Sequence, residues 1–251
     1  MNLIKKKKRQ KILLTLLVLV LLGTTGSIVR SRWIEHAEHQ AIASQISWKL
    51  FATPGPGRSP LPEADCEYLD FESIRSKNPD ITAWLTLDGT GIDFPVVQSS
   101  DNLFYIDHDA EGKSNSKGAL FLDYRCNFDF SDFNNIIYGH NLNARHMFGT
   151  LMNYKDKNYF DKHRTGRLYT PCTNYSLDVF AVLIIPHKSK LYRYAFISKN
   201  DKADFFVEIQ QAALYWDTLR LEDGETLLML STCSYEFKNA RTVVFARCKP
   251  I

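Results

Sequence analysis

Paired and clustered cysteines are missing from this 251-residue sequence. No C-x-x-C motif occurs, and no cysteine or histidine stands at the spacing of a zinc finger. His140 and His146 are six residues apart, a separation that suits neither strand nor helix pairing. We therefore expect no metal and no cofactor. An odd number of cysteines leaves at least one thiol unpaired, and the pairing of the others stays open; the five are Cys66, Cys126, Cys172, Cys233 and Cys248.

A basic surface for nucleic acid is also missing. The net charge of the chain is +3, but six positive charges lie within residues 5–11. Without those six the net charge is −3, so the body offers no basic patch to a nucleic acid and we expect none as a partner. No internal repeat occurs either, which excludes a solenoid or another repeat architecture.

One long apolar run follows the basic cluster. Residues 12–29, ILLTLLVLVLLGTTGSIV, carry no charge, and Arg30 and Arg32 close the run. Its length is close to the ~20 residues that a helix needs to cross a bilayer. Because basic flanks stay inside, we predict a single-pass anchor in the cell membrane with a cytoplasmic N-terminus and an extracellular body. The alternative is a cleaved signal peptide, although GTTGS holds no clean cleavage site. Either segment would export the body.

Four regions are predicted along the chain. Residues 1–11 form a cytoplasmic basic segment, and residues 12–29 form the transmembrane anchor. Residues 30–65 are juxtamembrane, with helical apolar spacing over 31–51 followed by the Pro- and Gly-rich linker TPGPGRSPLP. Residues 66–251 form the extracytoplasmic domain, which begins with a short helix predicted in DFESIRSKNPD.

Short strands dominate the predicted domain. Eight apolar segments separated by turn residues are typical of a β-barrel or a β-sandwich. A helix is predicted over residues 202–216, before the last two strands, because Phe205, Ile209 and Trp216 recur at helical spacing. The eight strand segments are ITAWLTL, IDFPVVQ, GALFLDY, NNIIYGH, GRLYTPC, YSLDVFAVLIIP, ETLLMLSTC and RTVVFARC.

Three side chains of types that take part in catalysis stand at predicted strand ends. Cys233 ends ETLLMLSTC and Arg241 begins RTVVFARC, so a hairpin would bring them to one end of the sheet. A nearby cation favours the reactive thiolate, and a guanidinium can also stabilise an oxyanion. His140, at the end of NNIIYGH, can transfer protons. Singly, each residue is typical of a structural position. Together they indicate nucleophilic catalysis by a thiol.

These segments resemble the class B sortases. LSTC matches the end of the family's cysteine motif, RTVVFA resembles the arginine strand that follows, and IIYGHN resembles the histidine segment. The likeness continues through NPDITAWLTLDGTGIDFPVVQSSDNLFYI, GALFLDY and MFGTL, over roughly residues 68–248. The resemblance implies a mainly β fold: an eight-stranded sortase-type β-barrel with an N-terminal helix and an inserted helix before the last two strands.

The resemblance also implies an activity. Class B sortases are membrane-anchored cysteine transpeptidases that cleave a C-terminal sorting motif of a secreted protein through a thioester acyl-enzyme. An amine of a peptidoglycan precursor then accepts the protein. Carried over, Cys233 is the nucleophile, His140 the general acid and base, and Arg241 the group that positions the substrate and stabilises the oxyanion. The implied substrate-binding residues are Leu191, Tyr192, Tyr194, Ser231 and Thr232.

The sequence departs from the family at two positions. Met229 stands where the cysteine motif has its first threonine, and Tyr235 stands where some members have an acid, with Glu236 one place later. We therefore do not assign an acid to the catalytic set, and we interpret Asp123 as structural. Two alternatives stay open. One is a pilin-polymerising sortase, although no D-P-W/F lid motif occurs. The other is a non-enzymatic, membrane-anchored binding protein with a structural Cys233.

Overall fold

The computed structural model describes residues 69–142, 147–218, 222 and 224–251. The predicted basic segment, anchor and juxtamembrane region, residues 1–65, lie outside the described residues, and so does Cys66. Within the described ranges, no helix combines the length and the apolar character that crossing a bilayer requires. The four predicted regions therefore stay predictions.

Nine strands and three α-helices make up the described part of the chain. The strands are β1 (Ile81–Leu87), β2 (Ile92–Val97), β3 (Leu120–Leu122), β4 (Asn134–Tyr138), β5 (Thr165–Tyr169), β6 (Asn174–Pro186), β7 (Ala213–Trp216), β8 (Thr226–Cys233) and β9 (Ala240–Pro250). The helices are α1 (Phe71–Lys77), α2 (Lys157–Lys162) and α3 (Lys199–Ala212), with 3-10 helices at Phe104–Ile106 and Gly149–Lys155.

Eight of these strands close into a barrel. The ring runs β5-β1-β2-β3-β4-β8-β9-β6 and closes where β6 pairs with β5. The β2–β3 and β4–β8 pairs are parallel, and the other pairs of the ring are antiparallel. The predicted eight-stranded barrel is therefore confirmed. The ninth strand, β7, pairs with β6 outside the ring.

The predicted N-terminal helix is confirmed as α1. Asp70 caps it, because its carboxylate accepts a hydrogen bond from the Ser73 amide at 3.1 Å. Phe71 and Ile74 are buried, so one face of the helix packs against the domain. The helix ends at Lys77, two residues before Pro79, which disfavours helical geometry in the residue that precedes it.

The predicted inserted helix is confirmed, but its predicted end is wrong. Helix α3 begins after Ser198, which forms a capping box with Asp201, and it ends at Ala212. Ala213 takes extended geometry, with φ −71° and ψ 133°, and the chain continues as β7. Tyr215 and Trp216 then contact different partners, with ring centroids 5.7 Å from Phe160 and 5.4 Å from Phe180. Aromatic residues favour a strand, and the pairing of β7 with β6 overrides the helical spacing.

Asp123, directly after β3, is fully buried but paired. Nε and Nη2 of Arg125 donate to its two carboxylate oxygens at 2.9 and 2.7 Å, and the Tyr138 hydroxyl donates at 2.9 Å. Burial by itself would raise the carboxyl pKa, but the Arg125 and Tyr138 hydrogen bonds outweigh it, so the pKa of Asp123 lies below its usual value. The interpretation of Asp123 as a structural residue agrees with these contacts.

Replacing Arg125 with methionine should destabilise the domain by about 2 kcal/mol or more, because the buried Asp123 charge loses its cation. A lowered carboxyl pKa stabilises the fold above the unfolded-state value of about 3.9, and protonation removes that stability as the pH falls through the folded pKa. The variant should therefore lose less stability than the wild type on acidification below about pH 4. Urea unfolding at neutral and acidic pH measures both effects.

Lys157→Met is the matched control, since it removes the exposed ion pair with Asp161. Its urea midpoint should stay near that of the wild type, because exposed pairs contribute little. Equal midpoints for Arg125→Met and Lys157→Met would contradict the structural role of the Asp123 pair.

Candidate active site

The ends of three neighbouring strands bring the predicted catalytic residues together. Cys233 is the last residue of β8, which lies between β4 and β9. His140 stands two residues after Tyr138, where β4 ends, and Tyr138 is the register partner of Ser231. Because β4 and β8 are parallel, their carboxyl ends meet at one edge of the sheet. Arg241 lies at the start of β9 at that same edge.

Cys233 and Arg241 are register partners across β8 and β9. The Ser234 amide donates to the Ala240 carbonyl oxygen at 3.0 Å, so the neighbouring Cys233–Arg241 pair is of the non-hydrogen-bonded type. Facing side chains in such pairs have Cβ atoms about 4.5–5.5 Å apart. Nη1 of Arg241 donates to the Ala240 oxygen at 2.9 Å, which uses one of the five guanidinium N–H donors.

A backbone carbonyl holds the His140 ring. Nε2 of His140 lies 2.7 Å from the carbonyl oxygen of Ile106, at the end of the first 3-10 helix. A carbonyl oxygen only accepts, so Nε2 carries a proton and, in the neutral ring, Nδ1 is the acceptor. Gly118, at φ +65°, allows this approach, because a Cβ there would lie 2.6 Å from the Ile106 oxygen and 3.0 Å from the His140 ring.

The other described cysteines are less suited to nucleophilic chemistry. Burial raises the pKa of Cys126 and of Cys248 to about 12, so both are protonated thiols at neutral pH. Cys172 is exposed in the turn between β5 and β6. All four described cysteines are unpaired. Cys233 is half-buried and ends the strand that lies between β4, which leads to His140, and β9, where Arg241 stands.

The comparison with known proteins agrees with this geometry. Sortase B of Listeria monocytogenes is 31% identical over 177 residues, covering 70% of this chain and 72% of that protein. The chain belongs to the sortase B family. Sortase B of Clostridium perfringens, 31% identical, matches this sortase with a TM-score of 0.67 over 72% of this chain and 100% of that one. A Staphylococcus aureus sortase B–substrate complex matches at 28% identity and a TM-score of 0.67, covering 72% and 85%.

The resemblance to class B sortases is thereby confirmed, and this sortase is a cysteine transpeptidase of the sortase type. The alternative of a non-enzymatic binding protein is not supported. No protein-family profile matches the chain.

An aromatic strip lines the face that carries Ser231 and Cys233. The Tyr192 hydroxyl is 2.7 Å from Oγ of Ser231, and its ring stacks on Tyr138 with centroids 6.1 Å apart. Burial raises the pKa of Tyr192 to about 12, so this hydroxyl keeps its proton. Tyr194 continues the strip beneath the Arg125 guanidinium, 4.7 Å from its ring centroid. The strip therefore begins beside Cys233 and ends at Tyr194.

Three of the predicted substrate-binding residues are buried. Ser231 is 1% exposed, and its Oγ is hydrogen-bonded to the Tyr192 hydroxyl at 2.7 Å. Leu191 is 2% exposed and belongs to the hydrophobic core. Thr232 is 1% exposed, and its hydroxyl donates to the Gly139 carbonyl oxygen at 2.8 Å. In this sortase, Thr232 ties β8 to the chain that leaves β4.

Two carboxylates near the site form ion pairs with basic side chains. Glu236 forms an ion pair with Lys155 of the second 3-10 helix, and Asp123 is paired with Arg125. The His140 ring is oriented by the Ile106 carbonyl instead. Over the ranges that the structure describes, no group of three or more His, Cys, Asp or Glu residues could hold a metal ion.

Sequence reasoning missed two contributors to the site. Ile106 contacts His140 through its backbone, 34 residues away in sequence, so no side-chain pattern could have indicated it. Asn141 follows His140 directly, and its side-chain Nδ2 donates to the Cys233 carbonyl oxygen at 2.8 Å. The sequence indicated Asn141 only as a member of the histidine segment IIYGHN, which does not identify the group that its amide binds.

Proposed function

We propose that this sortase is a membrane-anchored transpeptidase that joins secreted proteins to a cell-wall amine through a thioester on Cys233. The observation that carries the proposal is the position of Cys233 at one sheet edge, between the strand end that leads to His140 and the strand start at Arg241. The apolar run 12–29 and its basic flank support an anchor with the catalytic domain outside the cell.

In the first step, the Cys233 thiolate attacks a backbone carbonyl carbon of the sorting motif. In family members this carbon usually belongs to a threonine. A C–S bond forms, the carbonyl oxygen becomes an oxyanion, and the Arg241 guanidinium stabilises it. The oxyanion then collapses and the C–N bond breaks. His140 supplies the proton that the leaving amine needs, and a thioester remains on Cys233.

In the second step, an amine attacks the thioester carbonyl. His140 accepts its proton, a C–N bond forms, and Cys233 leaves as thiolate. A peptidoglycan precursor is the proposed amine donor. Two solved sortase B structures support these partner classes, one in complex with substrate and one in complex with triglycine. The triglycine complex is 28% identical to this chain, with a TM-score of 0.67.

The aromatic strip is the proposed binding surface for the sorting motif. Tyr192 and Tyr194 lie on it, and apolar or amide groups of an extended peptide can pack on their aromatic faces. Buried Ser231 holds the Tyr192 hydroxyl in place at 2.7 Å. Leu191 and Thr232 would act from beneath the strip, by fixing its backbone.

The test is an amine-dependent transfer assay. The full chain in detergent is incubated with a panel of quenched fluorescent peptides that carry threonine within varied five-residue motifs. Each peptide is tested with and without triglycine. We expect cleavage of a narrow subset of peptides, and a product mass that contains triglycine when triglycine is present.

Other product patterns separate the alternatives. Transfer to a lysine-bearing acceptor in preference to triglycine would favour a pilin-polymerising sortase. Hydrolysed product alone, at saturating concentrations of both acceptors, would overturn the assignment as a transpeptidase of this substrate class.

A further inference from the structure

The ladder between β4 and β8 ends just before the catalytic edge. Its last register pair is Tyr138 with Ser231. One more backbone bond follows, from the Gly139 amide to the Ser231 carbonyl oxygen, at 3.2 Å. In a parallel pair, the next bond of this kind would run from the backbone amide of Asn141 to the carbonyl oxygen of Cys233.

A side chain replaces that missing backbone bond. The chain turns away from β8 at this point, because His140 O accepts from the Phe148 amide at 3.1 Å and Asn141 forms a bridge with Met147. The Cys233 carbonyl would lose its ladder partner, which is costly for a partly buried polar group. Nδ2 of Asn141 donates to it at 2.8 Å instead.

We propose that Asn141 is a positioning residue that sets the distance between His140 and Cys233. His140 lies between two points at which its chain is tied to β8. On one side Gly139 accepts the Thr232 hydroxyl at 2.8 Å, and on the other Asn141 binds Cys233 itself. Removing the second tie frees the segment that carries the proton-transfer residue while the barrel ladder stays intact.

This inference rests on the proposed function, because a positioning role matters only if His140 and Cys233 react with the same substrate. The Asn141 amide binds the main-chain oxygen of Cys233 and not its reacting sulfur. Its loss should therefore lower the rate of the chemical steps rather than weaken peptide binding. A misplacement of about 1 Å in an active site can cost about 100-fold in rate.

The test compares two Asn141 variants and one control variant of the full chain in the triglycine transfer assay, with the peptide of the panel that the wild type cleaves fastest. Asn141→Ala removes the amide donor, and Asn141→Asp keeps its shape but presents an acceptor to the Cys233 carbonyl. Both should lower kcat about 10- to 100-fold and leave KM within about threefold. Iodoacetamide labelling of Cys233, read by peptide mapping, should still occur, since the thiol remains in place.

Asn135→Ala is the matched control. Asn135 lies on β4, the strand that leads to Asn141, and its Nδ2 donates to the carbonyl oxygens of Phe130, Asp132 and Leu227 at 3.1, 2.9 and 3.3 Å. This variant should lower the thermal unfolding midpoint more than either Asn141 variant does, and it should keep kcat.

The outcomes separate this role from the proposed function. If the Asn141 variants keep kcat within about twofold of wild type, or if Asn135→Ala lowers kcat as much as they do, the positioning role is overturned. If Cys233→Ala retains transfer, the proposed function fails and the role of Asn141 fails with it.

Discussion

Replacing Cys233 with alanine is expected to abolish both cleavage and transfer, with a loss of about 10⁴-fold or more in kcat. The proposed thioester cannot form without the sulfur. The fold should survive the change, because Cys233 is half-buried at the end of β8 and its backbone pairing with Arg241 does not involve the side chain. Mass spectrometry of the quenched wild type should show a peptide adduct that maps to Cys233 and is missing from the variant.

Cys172→Ala is the control for this experiment. Cys172 is also a free thiol, but it is exposed in a turn between β5 and β6. Its variant should keep full activity and the adduct on Cys233. If Cys233→Ala stays active, another group is the nucleophile. The same conclusion follows if the peptide adduct maps to Cys172 and Cys172→Ala loses both the adduct and the activity.

Much of the barrel could be predicted because its signals are local. Alternating apolar residues and turn residues define strands one at a time, so all eight strands of the ring were found. Cys233 and Arg241 could be expected at one edge because a hairpin joins their strands. The wrong prediction of a helix over β7 also follows from relying on local signals. Trp216 continues a helical spacing, and only pairing with β6, more than 30 residues earlier, places it and Tyr215 in a strand.

The parts of the site that could not be predicted depend on backbone groups. The Ile106 carbonyl orients His140 and the Cys233 carbonyl receives Asn141, yet every residue type presents a carbonyl. Which carbonyl meets which side chain is decided by the closure of the barrel. Thr232 shows the same limit, since its hydroxyl was expected to contact the substrate and donates to Gly139 in this structure.

The largest expected effect after that of Cys233 belongs to His140→Gln. Glutamine can keep a donor on the Ile106 carbonyl oxygen, which His140 Nε2 contacts at 2.7 Å, but it cannot transfer a proton. We expect kcat/KM for an amide peptide to fall about 10²- to 10⁴-fold. An ester analogue of the same peptide has a leaving group that needs little protonation, so its acylation should fall much less. Stopped-flow acylation of both substrates measures the difference.

His163→Gln is the matched control, because Nδ1 of His163 also contacts a backbone carbonyl oxygen, that of Tyr159, at 2.8 Å. Its ring stacks on Tyr159, with centroids 3.8 Å apart, so this change should affect stability and leave the amide-to-ester ratio unchanged. If His140→Gln slows ester and amide equally, His140 shapes the site and does not act as the acid. If only the amide reaction slows, the proton that expels the leaving amine comes from His140, and the Ile106 carbonyl serves to hold that ring beside the thioester.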